Sequence, residues 1–462
     1  MESIIQEIST MIGDKFAEEL GKLCSEVRDI SAFIIAMKAT LDKAGTKLVG
    51  EALGAMDESI RENRDRKRHW AVKNKADSKT LMTLFGEVVY TRTYYQNKQT
   101  GEYKYLSDEA VGISPHDRMD TSLKAKLIEE AIDAPYRKSA EAAAEAVQLT
   151  SQTVMNSIRE LGNVSNKAVE VKGSKKSVKT LYIEADEDHV ALQDGKYSEP
   201  KLVYVHEGKK ATSKDRWQLL NPRYFSGVYS NSDELWLEVA DYVYEAYEAE
   251  TIEKIYLSGD GANWIKNGLG WFKNSVFVLD RYHLSKYVIQ ATAHTENVAP
   301  VMWRHINNGD KPGLEELFRG IVRFTESETK KKSVQEARDY ILRHWQGIRN
   351  QYEHDYPGCS AEGHVSHRLS ARLSSRPLAW SKIGVDQMSR LRAFSANGGV
   401  VYDLLIAKKL ESMKEARRNQ MDWAIKIKRN LAPSHETFGN LVILNTGHKT
   451  MTAKFLRAIR TS

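Results

Sequence analysis

Apolar residues along the first part of the chain recur at intervals of three and four positions, which is the spacing of one helix face. This stripe comprises Ile4, Ile5, Ile8, Met11, Ile12, Phe16, Leu20 and Leu23. From Leu81 the pattern changes, because FGEVVYTRTYYQN and EYKYL are rich in β-branched and aromatic residues and flank the turn-like KQTG. We therefore expect a helical region over residues 1–80, whose stripe serves packing or dimerisation, and a small β-hairpin element over residues 81–120.

Residues 121–165 return to a helical pattern in three short pieces, LKAKLIEEAIDA, RKSAEAAAEA and SQTVMNSIRELG. The tight VQLT between the last two predicts a helix-turn-helix, although an ordinary helical hairpin would give a similar pattern. On the last helix Val154, Ile158 and Leu161 share one face, which leaves a polar face for DNA. That polar face carries Gln152, Asn156 and Arg159, whose side chains can bond base edges and phosphates.

A polar, basic connector follows, in which Lys175 and Lys176 are expected to contact DNA phosphates. The chain then reads as the strands TLYIEAD, HVALQ and KLVYVHEG, a helix opened by Asn231, and the strands KIYLSGD and VFVLD. This order predicts an α/β fold of the ribonuclease H-like type. Its catalytic domain would comprise residues 175–283 and 358–400, separated by a helical insertion over residues 284–357. The role of the C-terminal region, residues 401–462, is not readable from the pattern.

The composition of the 462 residues is that of a soluble protein, with 41% hydrophobic and 28% charged residues. No apolar run approaches the roughly 18 residues that span a bilayer, and we expect a cytoplasmic protein associated with the nucleoid. The chain has only two cysteines, which excludes a disulfide framework and a four-cysteine zinc ribbon. Carboxylates and histidines would have to hold any metal, and they favour magnesium or manganese.

Charge is distributed unevenly around a net value of +6. Residues 1–60 carry a net charge of −5, whereas residues 61–75 and residues 363–392 each carry +5. Each basic run could be a solvated surface. Several such runs beside a predicted helix-turn-helix instead favour an anionic partner such as double-stranded DNA.

Three acidic residues are candidates for chemistry. Asp186 and Asp260 each stand at the end of a predicted strand, where ligands bind in open α/β sheets. Glu362 lies three positions before Val365, so we expect it on the buried side of its helix, at the end of the sheet. Alternatively, the two aspartates only cap turns, and Glu362 is present because the helix dipole favours a negative charge in the first turn.

Four segments resemble blocks of a known family, namely ADEDHVALQ, LSGDGANWIK, LDRYHLSKYV and AEGHVSHRLSARLSSRPLAWSK. They are similar to the ISLre-two family of bacterial insertion-sequence transposases, related to the Mutator-like group with an Asp-Asp-Glu triad. The resemblance implies that Asp186, Asp260 and Glu362 form this triad and hold two Mg²⁺ or Mn²⁺ ions. It also implies that Asp280 and His283 form the D-x-x-H signature. Asp186 is preferred as the first ligand, with Asp188 and Glu187 as alternatives.

The resemblance implies a DNA transposase, which cleaves insertion-sequence ends and joins them to target DNA by hydrolysis and strand transfer. It also implies element ends and target DNA as partners, and a homodimer or higher homo-oligomer. We expect His364 and Arg368, which follow Glu362, to contact the scissile-strand phosphates or a metal-bound acid, and His367 to face outer DNA or another subunit. Two alternatives stay open: a DNA-binding regulator that no longer cuts, and a nuclease without strand transfer.

Overall fold

The computed structural model describes residues 2–25, 29–143, 147–213, 216–375 and 379–431. Residues 1–404 form one compact unit. Residues 405–462 form a second, of which the described part, up to residue 431, is helical. Residues 432–462 of the predicted C-terminal region lie outside the described part of the chain.

The N-terminal region is helical, as predicted. Its helices are α1 (Glu2–Ser25), α2 (Ile30–Glu62) and α3 (Arg64–His69). The side chain of Asp29 accepts a hydrogen bond from the Ser31 amide and caps α2, and Asn63 caps α3 in the same way. In the predicted apolar stripe Ile8 is buried, but Ile5, Phe16 and Leu20 remain exposed.

A three-stranded antiparallel sheet follows, formed by β1 (Trp70–Thr83), β2 (Gly86–Asn97) and β3 (Tyr103–Tyr105). The predicted hairpin is present, since Tyr94 of β2 pairs with Tyr105 of β3. The predicted start of this region at residue 81 was wrong, because β1 begins at Trp70 and pairs with β2 along its length. Register shifts between Val72 and Asp77 break the two-residue alternation that would have revealed the strand.

The segment predicted to form a helix-turn-helix is helical in its described parts, while residues 144–146 of the second predicted helix lie outside them. After α4 (Leu106–Ala110) come α5 (Thr121–Asp133), α6 (Tyr136–Ala143) and α7 (Ser151–Leu161). Thr150 caps α7 by accepting a hydrogen bond from the Thr153 amide. The predicted apolar face of α7 is buried, which leaves its polar face in solvent.

The strands of the remaining chain are β4 (Thr180–Glu187), β5 (Val190–Ala191), β6 (Tyr197–Ser198), β7 (Lys201–His206), β8 (Lys209–Ser213), β9 (Arg216–Leu219), β10 (Arg223–Gly227), β11 (Lys254–Gly259) and β12 (Ser275–Leu279). Five of them form a mixed sheet in the order β10-β7-β4-β11-β12. Strands β4, β11 and β12 are parallel, whereas β7 is antiparallel to β4 and β10 is antiparallel to β7. The structure is therefore a mixed α/β fold.

One predicted sheet strand was wrong. HVALQ contributes only the two-residue β5, which pairs with β6 outside the main sheet. The third strand along the chain that joins the sheet is β10, which the sequence pattern did not reveal. Its five residues are all buried, and they include Arg223 and Ser226, so the segment does not read as an apolar run.

Apart from β11 and β12, the elements after β10, up to the end of the described chain, are helices. They are α8 (Ser232–Ala246), α9 (Asn263–Lys266), α10 (Arg281–Thr292), α11 (Val298–Asn308), α12 (Lys311–Phe324), α13 (Glu328–Arg343), α14 (Trp345–Arg349), α15 (Ala361–Val365), α16 (Ala371–Leu373), α17 (Lys382–Ala396) and α18 (Val401–Leu431), with a π-helical turn at Ser366–Ser370 between α15 and α16. The predicted insertion is helical and begins at Arg281, slightly before residue 284. No helix among the described residues is long and apolar enough to cross a membrane.

The two faces of the mixed sheet differ in chemistry. One face packs against α8 and forms an apolar core that includes Ile183, Val203 and Leu257 from the sheet and Trp236 from the helix. The opposite face carries a row of aromatic rings, in which Tyr182 stacks on Tyr256 with 5.6 Å between ring centroids. Because side chains alternate along a strand, Tyr182, Glu184 and Asp186 of β4 all point toward this second face.

The helix-turn-helix is joined to the segment after α15 by two buried arginines. Arg372 donates from Nε to the carbonyl of Ala131 at 3.0 Å, and its guanidinium lies over the ring of Trp380. Arg392 donates to the carbonyl of Ile132 and to the carboxylate of Asp133. Both arginines thus satisfy carbonyls at the C-terminus of α5, where positive charge is favourable.

Candidate active site

Asp186 lies near the carboxyl end of β4 and is buried. Its Oδ1 accepts a hydrogen bond from the Glu187 amide at 2.9 Å, and no side chain among the described residues donates to it. The neighbouring acids are already paired: Glu187 lies 3.0 Å from Nζ of Lys201, and Asp188 accepts the hydroxyl of Ser374 at 2.9 Å. Of the three acids in ADEDH, Asp186 is the one whose carboxylate is left for a ligand.

Asp260 follows β11 directly, and the helical insertion packs against it. Its carbonyl accepts a hydrogen bond from the Tyr340 hydroxyl, and its carboxylate accepts one from the Ala262 amide at 2.8 Å. The next residue, Gly261, has a φ of +91°, and a methyl group there would lie 2.6 Å from Nε2 of His344. The insertion therefore fixes the path of the chain around Asp260.

Glu362 is the second residue of α15, and its placement corrects one expectation. The buried positions of this helix are Ala361, Val365 and Leu369, which recur every four residues. Glu362 is exposed and does not share the buried side with Val365. A three-residue step from Val365 therefore leaves the side chain of Glu362 beside the buried stripe and not within it.

The three acids are close enough to act on one another. The pKa of Asp186 is raised to about 7, mainly by burial, and the carboxylates of Glu362 and Asp260 contribute to this rise. The Glu187 amide and His283 act in the opposite direction without outweighing this effect. Asp186 and Asp260 lie level with each other, because Glu184 and Ser258 are paired on the adjacent parallel strands β4 and β11, and the charge of Glu362 also reaches Asp186.

Asp280 and His283 border the acidic group. Asp280 follows β12, caps α10 through the Tyr282 amide, and lies 3.2 Å from Nδ1 of His283. Burial lowers the pKa of His283, but the hydrogen bond to Asp280 and the charges of Asp186 and Asp260 outweigh burial and raise it. His283 therefore stays protonated over a wider pH range than a free histidine and partly offsets the negative charge.

The donor chemistry of this group fits a divalent cation. Among the described residues no three His, Cys, Asp or Glu side chains are arranged to hold a metal ion as they stand. Even so, Asp186, Asp260 and Glu362 offer oxygen ligands only, which suit Mg²⁺ and Mn²⁺. The raised pKa of Asp186 reflects burial first and the neighbouring carboxylates second, and a bound cation would stabilise the charged form against both.

A second acidic residue on β4, Glu184, was missed by sequence reasoning. It is fully buried, and its carboxylate accepts hydrogen bonds from the Tyr204 hydroxyl and from Nε2 of His206, the latter at 3.0 Å. It also accepts one from the Ser360 amide, two residues before Glu362, and lies 3.3 Å from Nζ of Lys209. Despite burial, these donors hold the pKa of Glu184 well below its usual range.

The sequence did contain one signal for this network. Glu184 interrupts the apolar run of β4, and a charged group in the interior of a sheet is costly without hydrogen-bond donors. Most of its donors lie between 20 and 176 positions away along the chain, however, so no local pattern could have identified them.

The residues after Glu362 are placed differently from one another. His364 stacks on the ring of Tyr204 with 4.5 Å between centroids, and burial lowers its pKa to about 4. This low pKa favours the neutral form of the ring, which packs in an aromatic cluster, and the contact of His364 with a phosphate or a metal-bound acid stays a prediction. The guanidinium of Arg368 lies 5.1 Å from the ring centroid of Tyr224, and His367 is exposed.

The predicted DNA-contacting residues are mostly exposed. On α7 the amide of Gln152 donates to Asn156 at 2.9 Å, and Arg159 lies exposed on the following turn. In the connector Lys175 is exposed. Lys176 is also exposed and forms an ion pair with Glu207 at 2.7 Å, and the contact of both lysines with DNA phosphates stays a prediction.

We expect Asp186→Asn to stabilise the protein at pH 8. A folded-state pKa near 7 lies above the ordinary value of about 3.9, so the folded chain binds the extra proton between these values. Wild-type stability should therefore fall as the pH rises from about 4 to 7, and remain lower above 7. Urea unfolding should show no difference between variant and wild type at pH 4, and a gain on the order of 1–3 kcal/mol at pH 8.

Asp188→Asn is the matched control for this measurement. Asp188 is equally buried but accepts the Ser374 hydroxyl through both of its carboxylate oxygens, so its replacement should not stabilise the protein at pH 8. If Asp186→Asn proved less stable than wild type at pH 8, the concentration of negative charge at Asp186 would be disproved.

Comparison with known proteins places the chain among uncharacterised relatives. The sequence profile of the uncharacterised protein family UPF0236 matches residues 25–409. UPF0236 protein TTE0402 of Caldanaerobacter subterraneus subsp. tengcongensis is 41% identical over 464 residues, covering 99% of this chain and 93% of that protein. A second protein of that organism is 42% identical over 435 residues, covering 94% of this chain and 92% of that protein. Its name joins eleven locus labels, from TTE0033 to TTE2212. The chain therefore belongs to the UPF0236 family.

Proposed function

We propose that this chain is a metal-dependent DNA transposase that cleaves the ends of an insertion sequence and joins them to target DNA. One observation carries the proposal: Asp186 and Asp260 stand level with each other on the adjacent parallel strands β4 and β11, and the charges of Asp260 and Glu362 act on Asp186. Groups of carboxylates are the usual means of holding the cations of phosphoryl-transfer sites.

The arrangement of the sheet supports the proposal. The strands lie in the order β10-β7-β4-β11-β12, and β7 runs in the opposite direction to the other four. This arrangement is the one expected of a ribonuclease H-like fold. The first acid, Asp186, lies near the end of the central strand β4. The second, Asp260, directly follows the parallel neighbour β11. The helical insertion lies between the second acid and the third, as the resemblance to insertion-sequence transposases implies.

The residues of the site have separate tasks in this proposal. Asp186, Asp260 and Glu362 would hold two Mg²⁺ or Mn²⁺ ions, which when bound activate a water or a 3′-hydroxyl and stabilise the leaving oxygen. His283 holds a proton beside Asp280 and limits the repulsion among the acids. The insertion fixes Asp260 through Tyr340.

The names of the relatives support the interpretation that the gene is mobile. One relative carries eleven locus labels from a single genome, and others carry four and two. A gene that encodes the means of its own movement is expected to occur in many places in a genome. Repeated loci of this kind are therefore consistent with transposition.

Incubation of the purified protein with the DNA that flanks its gene tests the proposal. With Mg²⁺ or Mn²⁺ we expect cleavage at the element ends, free 3′-hydroxyls, and joined products when target DNA is added. A chelator should abolish both reactions. Cleavage without joining would favour the nuclease alternative, and sequence-specific binding without cleavage would favour the regulator. Size analysis of the DNA complex would test the proposed homo-oligomer.

The polar face of α7 is expected to read the element ends. Replacing Asn156 or Arg159 with Ala should weaken binding to these ends by about 1–3 kcal/mol, the value of a good bidentate base contact. Lys175→Ala is the control, since removing a cation that faces a phosphate should weaken binding to all sequences alike and reduce its salt dependence. Fluorescence anisotropy with end DNA and scrambled DNA measures both effects. Unchanged preference for end DNA in the α7 variants would contradict this assignment.

A further inference from the structure

The carboxylate of Glu184 links two parts of the candidate active site that are far apart in sequence. Glu184 lies two residues before Asp186 on β4, so both side chains point to the same face of the sheet. Its Oε2 accepts a hydrogen bond from the amide of Ser360, the N-cap residue directly before α15. From Ser360 the chain needs only two further residues to reach Glu362.

From this geometry we infer that Glu184 is a positioning residue, which sets the distance between the Asp186 and Glu362 carboxylates by holding the start of α15 against β4. The inference rests on the proposed function, since it concerns how two of the proposed metal ligands are placed. It adds a residue that supports the acids without touching the substrate or the cations.

The chemistry of the contacts requires a carboxylate at this position. Every described group around Glu184 is a hydrogen-bond donor. These donors are the Tyr204 hydroxyl, Nε2 of His206, Nζ of Lys209, the Cys359 thiol, and the amide and hydroxyl of Ser360. An ionised carboxylate is acceptor-only and can satisfy them, whereas the amide group of glutamine would turn two N–H bonds toward other donors. Glu184→Gln therefore changes no volume but breaks part of the network.

A second contact holds the same helix in the same place. The ring of His364, two residues after Glu362, stacks on Tyr204, whose hydroxyl is itself bonded to Glu184. The Tyr224 hydroxyl lies 3.3 Å from Nδ1 of His364. Glu362 is thus flanked on both sides by residues that are fixed to the sheet through Glu184 and its neighbours, although Glu362 itself is exposed.

Binding of Mn²⁺ to the DNA-free protein, followed by electron paramagnetic resonance, tests the inference without relying on activity. Glu184→Gln should weaken Mn²⁺ affinity by about tenfold or more, the usual effect of losing a group that orients a metal ligand. In cleavage assays its kcat should fall while KM for DNA stays unchanged, and raised Mn²⁺ should restore part of the rate. Glu362→Gln, which removes a ligand, should not recover at raised Mn²⁺.

Asp57→Asn is the matched control for reduced stability. Asp57 is a buried carboxylate that accepts hydrogen bonds from Thr93 and Ser107, in the N-terminal part of the chain. Its replacement should reduce stability as Glu184→Gln does, but leave Mn²⁺ affinity at the wild-type value. Hydrogen exchange of residues 358–365 should rise in Glu184→Gln and stay unchanged in Asp57→Asn.

The outcomes separate this inference from the proposed function. If wild type binds Mn²⁺ and Glu184→Gln binds it equally well, or if Asp57→Asn weakens it to the same extent, the positioning role is overturned and the proposed function stands. If wild type and Glu362→Gln bind Mn²⁺ equally poorly and neither cleaves DNA, the proposed function fails and the inference fails with it.

Discussion

Glu362→Gln is expected to abolish DNA cleavage and to leave DNA binding intact. The substitution keeps the size of the side chain but removes one of the three negative charges that would hold the cations. Metal-assisted stabilisation of a phosphoryl transition state contributes several kcal/mol, so the rate should fall by about three orders of magnitude or more. Because Glu362 is exposed, its replacement should also leave the free energy of unfolding nearly unchanged.

Glu187→Gln is the control for this experiment. Glu187 lies in the same acidic cluster of the sequence as Asp186, but it is paired with Lys201 across the sheet. Its replacement should reduce the rate far less than that of Glu362. Gel assays of cleavage and anisotropy assays of binding, made on the same preparations, distinguish the two variants. Full cleavage by Glu362→Gln would rule out the proposed triad.

Gly261→Ala should have the second largest effect, on both stability and cleavage. A left-handed conformation costs about 1–2 kcal/mol for a residue with a side chain, and forcing a methyl group against His344 adds about 1–3 kcal/mol. The overlap can be relieved by a shift of the His344 ring or of the backbone at Asp260, which directly precedes Gly261. A displacement of about 1 Å at a reacting site can cost roughly 100-fold in rate.

Two further variants identify the cause of that effect. Gly101 has a φ of +74° but open space around it, so Gly101→Ala should show the conformational cost alone and keep wild-type cleavage. His344→Ala combined with Gly261→Ala removes the overlapping ring and should recover part of the cleavage rate. Denaturant unfolding and cleavage assays measure both effects, and a double variant no better than Gly261→Ala would show that the His344 ring is not the cause.

The elements with a strong local period could be predicted from the sequence. The helices of the helix-turn-helix and of the insertion were expected within a few residues, because their apolar positions repeat and their caps are local. Strand β10 was missed because its buried residues include Arg223, whose Nη2 donates to the carbonyls of Asn166 and Val169. Such distant contacts leave no pattern in the strand itself.

The candidate site divides in the same way. Asp186 and Asp260 were recognisable because a strand end is a local feature, and Glu362 was recognisable through a resemblance. Its orientation was expected wrongly, because the buried stripe of α15 begins at Ala361. The network of Glu184 and the contact between His344 and Gly261 join residues that are far apart along the chain, so only the folded chain reveals them.

The docking of α5 onto Arg372 and Arg392 has a consequence for where DNA would be cut. Both arginines lie downstream of Glu362, so their hydrogen bonds hold α5 of the predicted helix-turn-helix against the part of the chain that carries the third acid. For a transposase of the kind proposed, this contact would keep the DNA-reading helices at a constant distance from the third acid. The cut would fall at a constant number of base pairs from the sequence that α7 reads. If that sequence were moved to another place in the DNA, the cut would move with it and the number of base pairs between them would stay the same.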